Sequence, residues 1–430
     1  MTITPVSATL FAFNVGFGDC FLLRFQYGDD TRRHILIDFG STRQPEHRPA
    51  NFLTLVANQI KELSGNKLDI IVATHRHKDH IYGFRTNNSG TAPGNVIAQC
   101  DPTLILQPWT EHPDAAVDAL ASPDQLEESR AFAGALKNMS SYSAAIYKMA
   151  KADEKRGVFK PRTRRALSFL GENNIANKSS IKNLLAMGET RKYLAFGQDP
   201  GTSEILPGVK VEVLGPPTLE QGPQIARQRS RHEEEYWHLQ AAATRGELAA
   251  SEGKPAFPDH VASEIPQWAR WGRTRLRGMR ENMLMPIVRR LDAQMNNTSL
   301  ILLFSVGEKS LLFPGDAQWE NWSYALSKAE VREKLKTVDV YKVGHHGSLN
   351  ATPKSLWNLL DNKGNDAKPD RLTSVMSTKH GVHGHSEHTA VPRKSLVEAL
   401  TEHSHYHTTE DHEIETDSKK FYTEIELEFS

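Results

Sequence analysis

Apolar residues in this chain come in short runs broken by glycine, proline and polar turns, a pattern that predicts β-strands more often than helices. Ala8–Phe13 and Phe21–Phe25 read as a strand pair around Asn14-Val15-Gly16-Phe17-Gly18-Asp19-Cys20, whose two glycines allow a tight turn or a close backbone approach. His34–Ile37 reads as a third strand, ending in Asp38-Phe39-Gly40-Ser41. Phe52, Val56, Ile60 and Leu63 then fall on one face of a helix, and Leu68–Ala73 reads as a buried strand rich in β-branched residues. Further strands are expected at Pro102–Pro108, Val209–Leu214, Leu300–Phe304, Ser310–Phe313, Val338–Val343 and Leu372–Met376. A helix is expected at Pro392–Leu400 and an edge strand at Phe421–Phe429. Pro123–Lys151 is helical by composition, and from Thr218 to Met295 the chain turns helix-forming and charged, as an inserted helical module would. The pattern as a whole is α/β.

Composition narrows the classes. With 430 residues, 38% hydrophobic and 24% charged, the chain has enough apolar mass for a substantial core. Its 52 basic and 52 acidic residues balance, so no global field draws it to nucleic acid or anionic membranes. Two cysteines, Cys20 and Cys100, exclude a disulfide framework and suit a reducing compartment. Met1–Thr9 lacks a signal-peptide pattern, and no apolar run of about 18 residues occurs, so a cytoplasmic protein without a membrane span is expected.

The densest chemistry lies in Thr74–His80, THRHKDH, directly after the strand ending at Ala73. His75 and His77, two apart on an extended segment, project to one side and can hold one ion. Asp79 and His80 sit where the chain must turn and can address a second. Imidazole nitrogen and carboxylate oxygen suit Zn²⁺, and the set would also accept Mn²⁺ or Fe. Two middle stretches are basic: Lys155–Arg165, and Trp268–Arg280, which reads WARWGRTRLRGMR with five arginines, two tryptophans and no acid. Arginines interleaved with aromatics can bind phosphate and stack on bases, so Arg273, Arg275 and Arg277 are candidate substrate contacts; a solvated helix face is the ordinary alternative. GxSxG and P-loop motifs are absent.

The HxHxDH cluster resembles the metallo-β-lactamase-fold hydrolases, which carry two metals at the edge of an αββα sandwich. NVGFGDC, LIDFG, the Asn296-Asn297-Thr298-Ser299 stretch and KVGHHGS (Lys342–Ser348) are similar to a narrower branch, the β-lactamase-like domain of competence-type DNA-uptake proteins and related phosphodiesterases. The likeness covers residues 8–85, about 209–217 and 296–400, and it implies one domain over 1–430 with a helical insertion at 218–295. It implies that Asp38 braces the metal site from below. It makes Asp316, in Pro314-Gly315-Asp316-Ala317, the carboxylate that bridges both ions. The family's histidine is missing at Asn296–Ser299, so His345 or His346 would supply a ligand to the His75/His77 ion; the likeness favours His346 on the metal and His345 on the substrate. His385 would complete the Asp79/His80 ion, with His383 and His388 as rivals among the eight histidines between His380 and His412.

The implied activity is that of a dinuclear metal hydrolase with two divalent ions, Zn²⁺ before Mn²⁺, in which a hydroxide held by the ions attacks the substrate. Asp79 and His345 are the catalytic candidates, with Lys379 as a further substrate contact and aid to the leaving group. The substrate would be a phosphodiester, with nucleic acid left open. Hydrolysis of a lactone, thioester or other carbonyl compound is the rival enzyme class, and a metal-stabilised partner-binding module the non-enzyme one.

Overall fold

A computed structural model of the chain describes residues 4–112, 146–153, 177–218, 220–222, 295–348, 350–382, 390–410 and 420–429, with isolated positions between 159 and 168. Almost all of the expected insertion at 218–295 therefore lies outside the described residues.

The protein is mixed α/β, built on two mixed sheets. The first contains β1 (Pro5–Phe13), β2 (Cys20–Tyr27), β3 (Arg32–Phe39), β4 (Ile70–Val72), β5 (Leu104–Pro108), β6 (Thr190–Leu194) and β13 (Tyr422–Glu428), in the order β13-β1-β2-β3-β4-β5-β6. The pairs from β13 to β3 are antiparallel and those from β3 to β6 are parallel. The second contains β7 (Lys210–Gly215), β8 (Ile301–Val306), β9 (Lys309–Phe313), β10 (Val340–Lys342), β11 (Thr373–Met376) and β12 (His405–Thr408), in the order β12-β11-β10-β9-β8-β7. Here β9 to β12 run parallel, and β7-β8-β9 is antiparallel.

Strand alternation sorts the side chains onto two faces. Leu10, Phe21, Leu23, Ile35 and Ile37 of the first sheet share one buried cluster with Leu302, Phe304, Phe313 and Val340 of the second, so the sheets face each other. The opposite face of the first sheet, with Phe11, Leu22 and Leu36, packs against α1 (Phe52–Leu63) and α3 (Pro93–Ala98). In α1 three of the four residues at the expected spacing, Phe52, Val56 and Ile60, are fully buried, and Leu63 at the end of the helix is half-buried. The opposite face of the second sheet, with Ile301, Leu303 and Tyr341, packs against α5 (Trp319–Ser327), α6 (Ala329–Lys336), α7 (Lys354–Leu359) and α8 (Lys394–His403). The layers are helix, sheet, sheet, helix.

Every strand expected from the pattern is present, each end within three residues of its expected place, and the β-β-β-α-β opening is as expected. The strands β6, TRKYL, and β12, HYHT, carry too few apolar residues for the pattern to mark them. Both are edge strands, where one side of the ladder and much of the side-chain surface stay in water. The helix α4 (Lys178–Ala186) was not expected either; Asn177 caps it by accepting from the Ser180 N–H. No helix among the described residues is long and apolar enough to cross a membrane.

What this frame does for function is topological. The carboxyl ends of β3, β4, β9, β10 and β11 meet at one rim, since Asp38, His80, Asp316, His346 and Ser377, at or just past those ends, are in contact with one another. That rim is where open α/β sheets bind ligands, and the segments leaving these strands carry the polar clusters.

Candidate metal centre

The first sheet contributes the THRHKDH segment. After β4 the chain stays extended through His77 and then makes a single turn, α2 (Lys78–Ile81), which carries Asp79 and His80. His75, His77, Asp79 and His80 are all buried. The rings of His75 and His77 lie 4.6 Å apart and those of His75 and His80 4.2 Å apart, so the three imidazoles converge.

Asp38 organises this half. Between Ile37, opposite Phe21, and Phe39, opposite Cys20, it is the extra residue of a β-bulge and takes a left-handed φ of 55°. A bulge re-aims a side chain out of the strand's alternation, and Asp38 is re-aimed onto the segment after β4. Its Oδ1 accepts from the Thr74 backbone N–H at 2.7 Å, and its Oδ2 accepts from Thr74 Oγ1 at 2.7 Å and from His80 Nδ1 at 2.7 Å. These bonds set two tautomers. With Nδ1 donating to a carboxylate, His80 turns its Nε2 inward. With its one proton given to Asp38, the Thr74 hydroxyl accepts from His75 Nδ1 at 3.2 Å, leaving His75 Nε2 as a bare lone pair. Gly40 must be glycine for the same architecture, since a Cβ there would stand 2.3 Å from the Asp79 carbonyl carbon.

The second sheet contributes residues from three strand ends. Asp316 follows β9 through Gly315, whose φ is 53°. Its Oδ1 accepts the His345 backbone N–H at 2.9 Å, and its N–H donates to Ser299 Oγ at 3.2 Å. After β10, His345, His346 and Gly347 take left-handed φ values of 46°, 53° and 88° in succession. Backbone so far from the ordinary regions is held by its surroundings and concentrates at functional sites. The turn buries His346 and leaves His345 half-exposed. His346 Nδ1 donates to the Ser377 carbonyl at 3.0 Å, at the end of β11, which again turns Nε2 inward.

The two halves meet as Asp79, His80, Asp316 and His346, whose ligand atoms lie within 4.8 Å of one another. His80 Nε2 faces Asp316 Oδ2 at 3.0 Å, and His346 Nε2 faces Asp79 Oδ2 at 3.2 Å. Each imidazole commits its Nδ1 proton outward, so each contact needs either a second ring proton, as an imidazolium, or a metal cation between Nε2 and the carboxylate oxygen. Such an arrangement calls for a positive charge between the partners. His75 Nε2, His80 Nε2 and Asp316 Oδ2 are moreover buried without a hydrogen bond, a rarity that asks for an explanation such as an ion. The donor set of imidazole and carboxylate fits Zn²⁺ or Mn²⁺.

Without an ion, the carboxylates draw that positive charge onto the rings themselves. Burial opposes charge on His80, but Asp316, Asp38 and Asp19 outweigh it and raise the imidazole well above its ordinary range. His346 is raised in the same way, burial being outweighed by Asp316 and by its contact with Asp79. Burial likewise opposes ionisation of Asp79, yet the His346 hydrogen bond and the His80 charge bring it down to about 2. Asp316 lies well below the carboxylate range despite burial, chiefly through His80 and His345. His75, with burial and the neighbouring His80 and His77 all disfavouring charge, is pushed well below. The site therefore holds anionic carboxylates ready for cations.

Lys342 is the residue that sequence reasoning missed. It ends the buried strand β10 and is 2% exposed. Its ammonium contacts Asp19 Oδ2, donates to the Gly315 carbonyl at 3.1 Å and lies 3.6 Å from Asp316 Oδ1. Burial lowers a lysine, but here Asp19 and Asp316 outweigh it and raise Lys342. The signal lay in Val340-Tyr341-Lys342-Val343, a short apolar run interrupted by one lysine just before Gly344-His345-His346-Gly347-Ser348.

The remaining candidates fall elsewhere. His345 sets its ring beside the side-chain amides of Asn296 and Gln318, each at 3.4 Å, at the edge of the cluster. Lys379 is held by the Gln44 carbonyl at 3.2 Å. His380 is mostly exposed and paired with Glu410. His385, with its rivals His383 and His388, lies outside the described residues, as do Arg273, Arg275 and Arg277. His346 was expected beside His75 and His77; the described structure groups it with Asp79, His80 and Asp316. Compared with protein families, curated proteins and solved structures, the chain matches none.

Proposed function

We propose that this protein is a metallo-β-lactamase-fold hydrolase that uses two divalent ions, Zn²⁺ before Mn²⁺, to cleave a phosphodiester of a nucleotide or nucleic acid. The observation that carries the metal reading is the convergence of inward Nε2 atoms, on His80 and His346, with the buried carboxylates of Asp316 and Asp79, several of these atoms having no hydrogen bond. The helix–sheet–sheet–helix layering supports the fold assignment. The phosphodiester substrate is argued from the likeness of NVGFGDC, LIDFG and KVGHHGS to the competence-type branch.

His75, His77, Asp79, His80, Asp316 and His346 would hold the ions, with His385 as the further candidate. Bound there, the ions would supply Lewis acidity and activation of water. The chain's own residues do the rest. Asp38, through His80 directly and through Thr74 to His75, keeps three ring and hydroxyl protons turned away from the cluster. The Ser377 carbonyl does the same for His346. The His345 N–H and Lys342 engage Asp316 Oδ1 and so leave Oδ2 facing inward. The half-exposed ring of His345 is the group placed to hold a proton for a leaving oxygen.

The test is a hydrolysis screen of a phosphodiester ester, single- and double-stranded nucleic acid and a lactone, with Zn²⁺ and with Mn²⁺, beside metal analysis of protein purified without chelator. Phosphodiester turnover that chelation abolishes is the expected result. Lactone turnover alone would move the protein to the carbonyl class, and protein that neither retains nor takes up metal would overturn the reading altogether.

A further inference from the structure

Four carboxylates, those of Asp19, Asp38, Asp79 and Asp316, are each at most 2% exposed within this one site. Among the described residues, only one lysine, Lys342, is buried with them. Its surroundings are unlike an ordinary ion pair. The three contacts of its ammonium are all oxygens: Asp19 Oδ2, the Gly315 carbonyl and Asp316 Oδ1. Asp19 is fully buried, and its carboxylate faces nitrogen groups: Lys342 on Oδ2, His346 Nδ1 at 3.5 Å from Oδ1 and His80 Nδ1 at 3.7 Å from Oδ2, the two ring protons being already given to Ser377 and Asp38. With Asp38 and His80 it forms a second group whose ligand atoms lie within 4.8 Å of one another. The His80 member of that group is spent, because Nδ1 donates to Asp38.

We propose that Lys342 is a resident cation, a positioning residue whose ammonium takes the place of a divalent ion in an all-oxygen pocket and so limits the number of ions the centre can hold. Carboxylate and carbonyl oxygens without imidazole are the donors of hard cations such as Mn²⁺ or Mg²⁺. A lysine supplies the needed positive charge with three N–H donors for three oxygens and cannot be lost to a chelator. It also engages Asp316 Oδ1, so that the carboxylate meets the ions through Oδ2. The inference rests on the metal reading for the neighbouring ions alone; the oxygen pocket around Lys342 is independent of them.

The experiment counts Mn²⁺ per full-length chain by equilibrium dialysis, with folding checked by circular dichroism. Lys342→Ala is expected to bind one ion more than the wild-type protein, and Asp19→Asn/Lys342→Ala to return to the wild-type number. Equal counts in Lys342→Ala and wild type, or an extra ion that persists without Asp19, would overturn the proposal. Should Lys342→Ala fail to fold, Asp19→Asn carries the test. It leaves the ammonium uncompensated beside Asp316, so the ion count should stay while Mn²⁺ affinity falls about 10- to 100-fold. Unchanged affinity there would also overturn it. The two readings fail separately: a wild-type protein that binds no Mn²⁺ refutes the hydrolase reading, while one ion in Lys342→Ala against none in wild type would still uphold the resident cation.

Discussion

The two halves of the candidate centre are built in opposite ways. On the first sheet, His75, His77, Asp79 and His80 come from six consecutive residues, and one carboxylate, Asp38, orients them from a bulge. On the second sheet, Asp316 leaves β9 whereas Lys342 and His346 come from the end of β10, and the placement of His346 depends on backbone held in left-handed conformations from His345 to Gly347. The first half is a local motif with a brace, and the second is an assembly. Loss of a single polar atom should therefore damage the first half, whereas loss of backbone freedom should damage the second.

The largest effect should follow removal of a group on which the halves meet. His80→Ala or Asp316→Ala should weaken metal binding about a hundredfold or more, since four ligands share a binding energy of roughly 10–16 kcal/mol. Calorimetric titration with Zn²⁺ measures this, and wild-type affinity in both variants would dissolve the cluster as a metal centre.

Next comes the brace. Asp38→Ala removes the acceptor that sets the tautomers of His80 and, through Thr74, His75, and about 10- to 100-fold of metal affinity should go with it. The expected order, Asp316→Ala worse than Asp38→Ala, separates a ligand from its support. Equal losses would place Asp38 among the ligands.

Gly347→Ala probes the assembled half. At φ 88° an alanine is strained, and its Cβ would stand 2.7 Å from Pro392 Cβ. A loss of about 1–3 kcal/mol of stability is expected, with metal affinity reduced through His346. A thermal melt with and without Zn²⁺ reads both; a variant as stable as wild type would mean that this turn is not held under strain.

The smallest effect lies on the first sheet but away from the metal. His34 stands four residues before Asp38 on β3, where burial, helped by Arg24, Arg32 and Arg33, lowers its imidazole to about 4. Below the unfolded value near 6.5 the unfolded chain takes up a proton that the folded one refuses, so stability falls as the pH drops from about 6.5 towards 4. Between pH 7 and 5 this amounts to about 1–2 kcal/mol. His34→Leu should flatten that part of the profile in chelator-treated protein. A slope unchanged by the substitution would assign the acid sensitivity to the cluster instead.

What the sequence by itself determined is whatever depends on neighbours in the chain. Alternating and continuous apolar runs marked the interior strands because those strands bury both faces, and HxHxDH announced its chemistry because four polar groups on six residues after a buried strand share one place. The edge strands TRKYL and HYHT were illegible, since each holds too few apolar residues to set up an alternation, whereas the edge strand at Tyr422–Glu428 alternates and was legible. The likeness to a known branch pointed to Asp38 as a brace and to Asp316 and His346 as ligands. Only the tertiary structure decided which oxygen of Asp38 meets which ring, that His346 joins Asp79 rather than His75 and His77, and that Lys342 lies buried on Asp19. Those facts rest on two sheets packed face to face with their strand ends at one rim. That packing brings residue 19 to residue 342 and residue 79 to residue 346, and no local pattern records it.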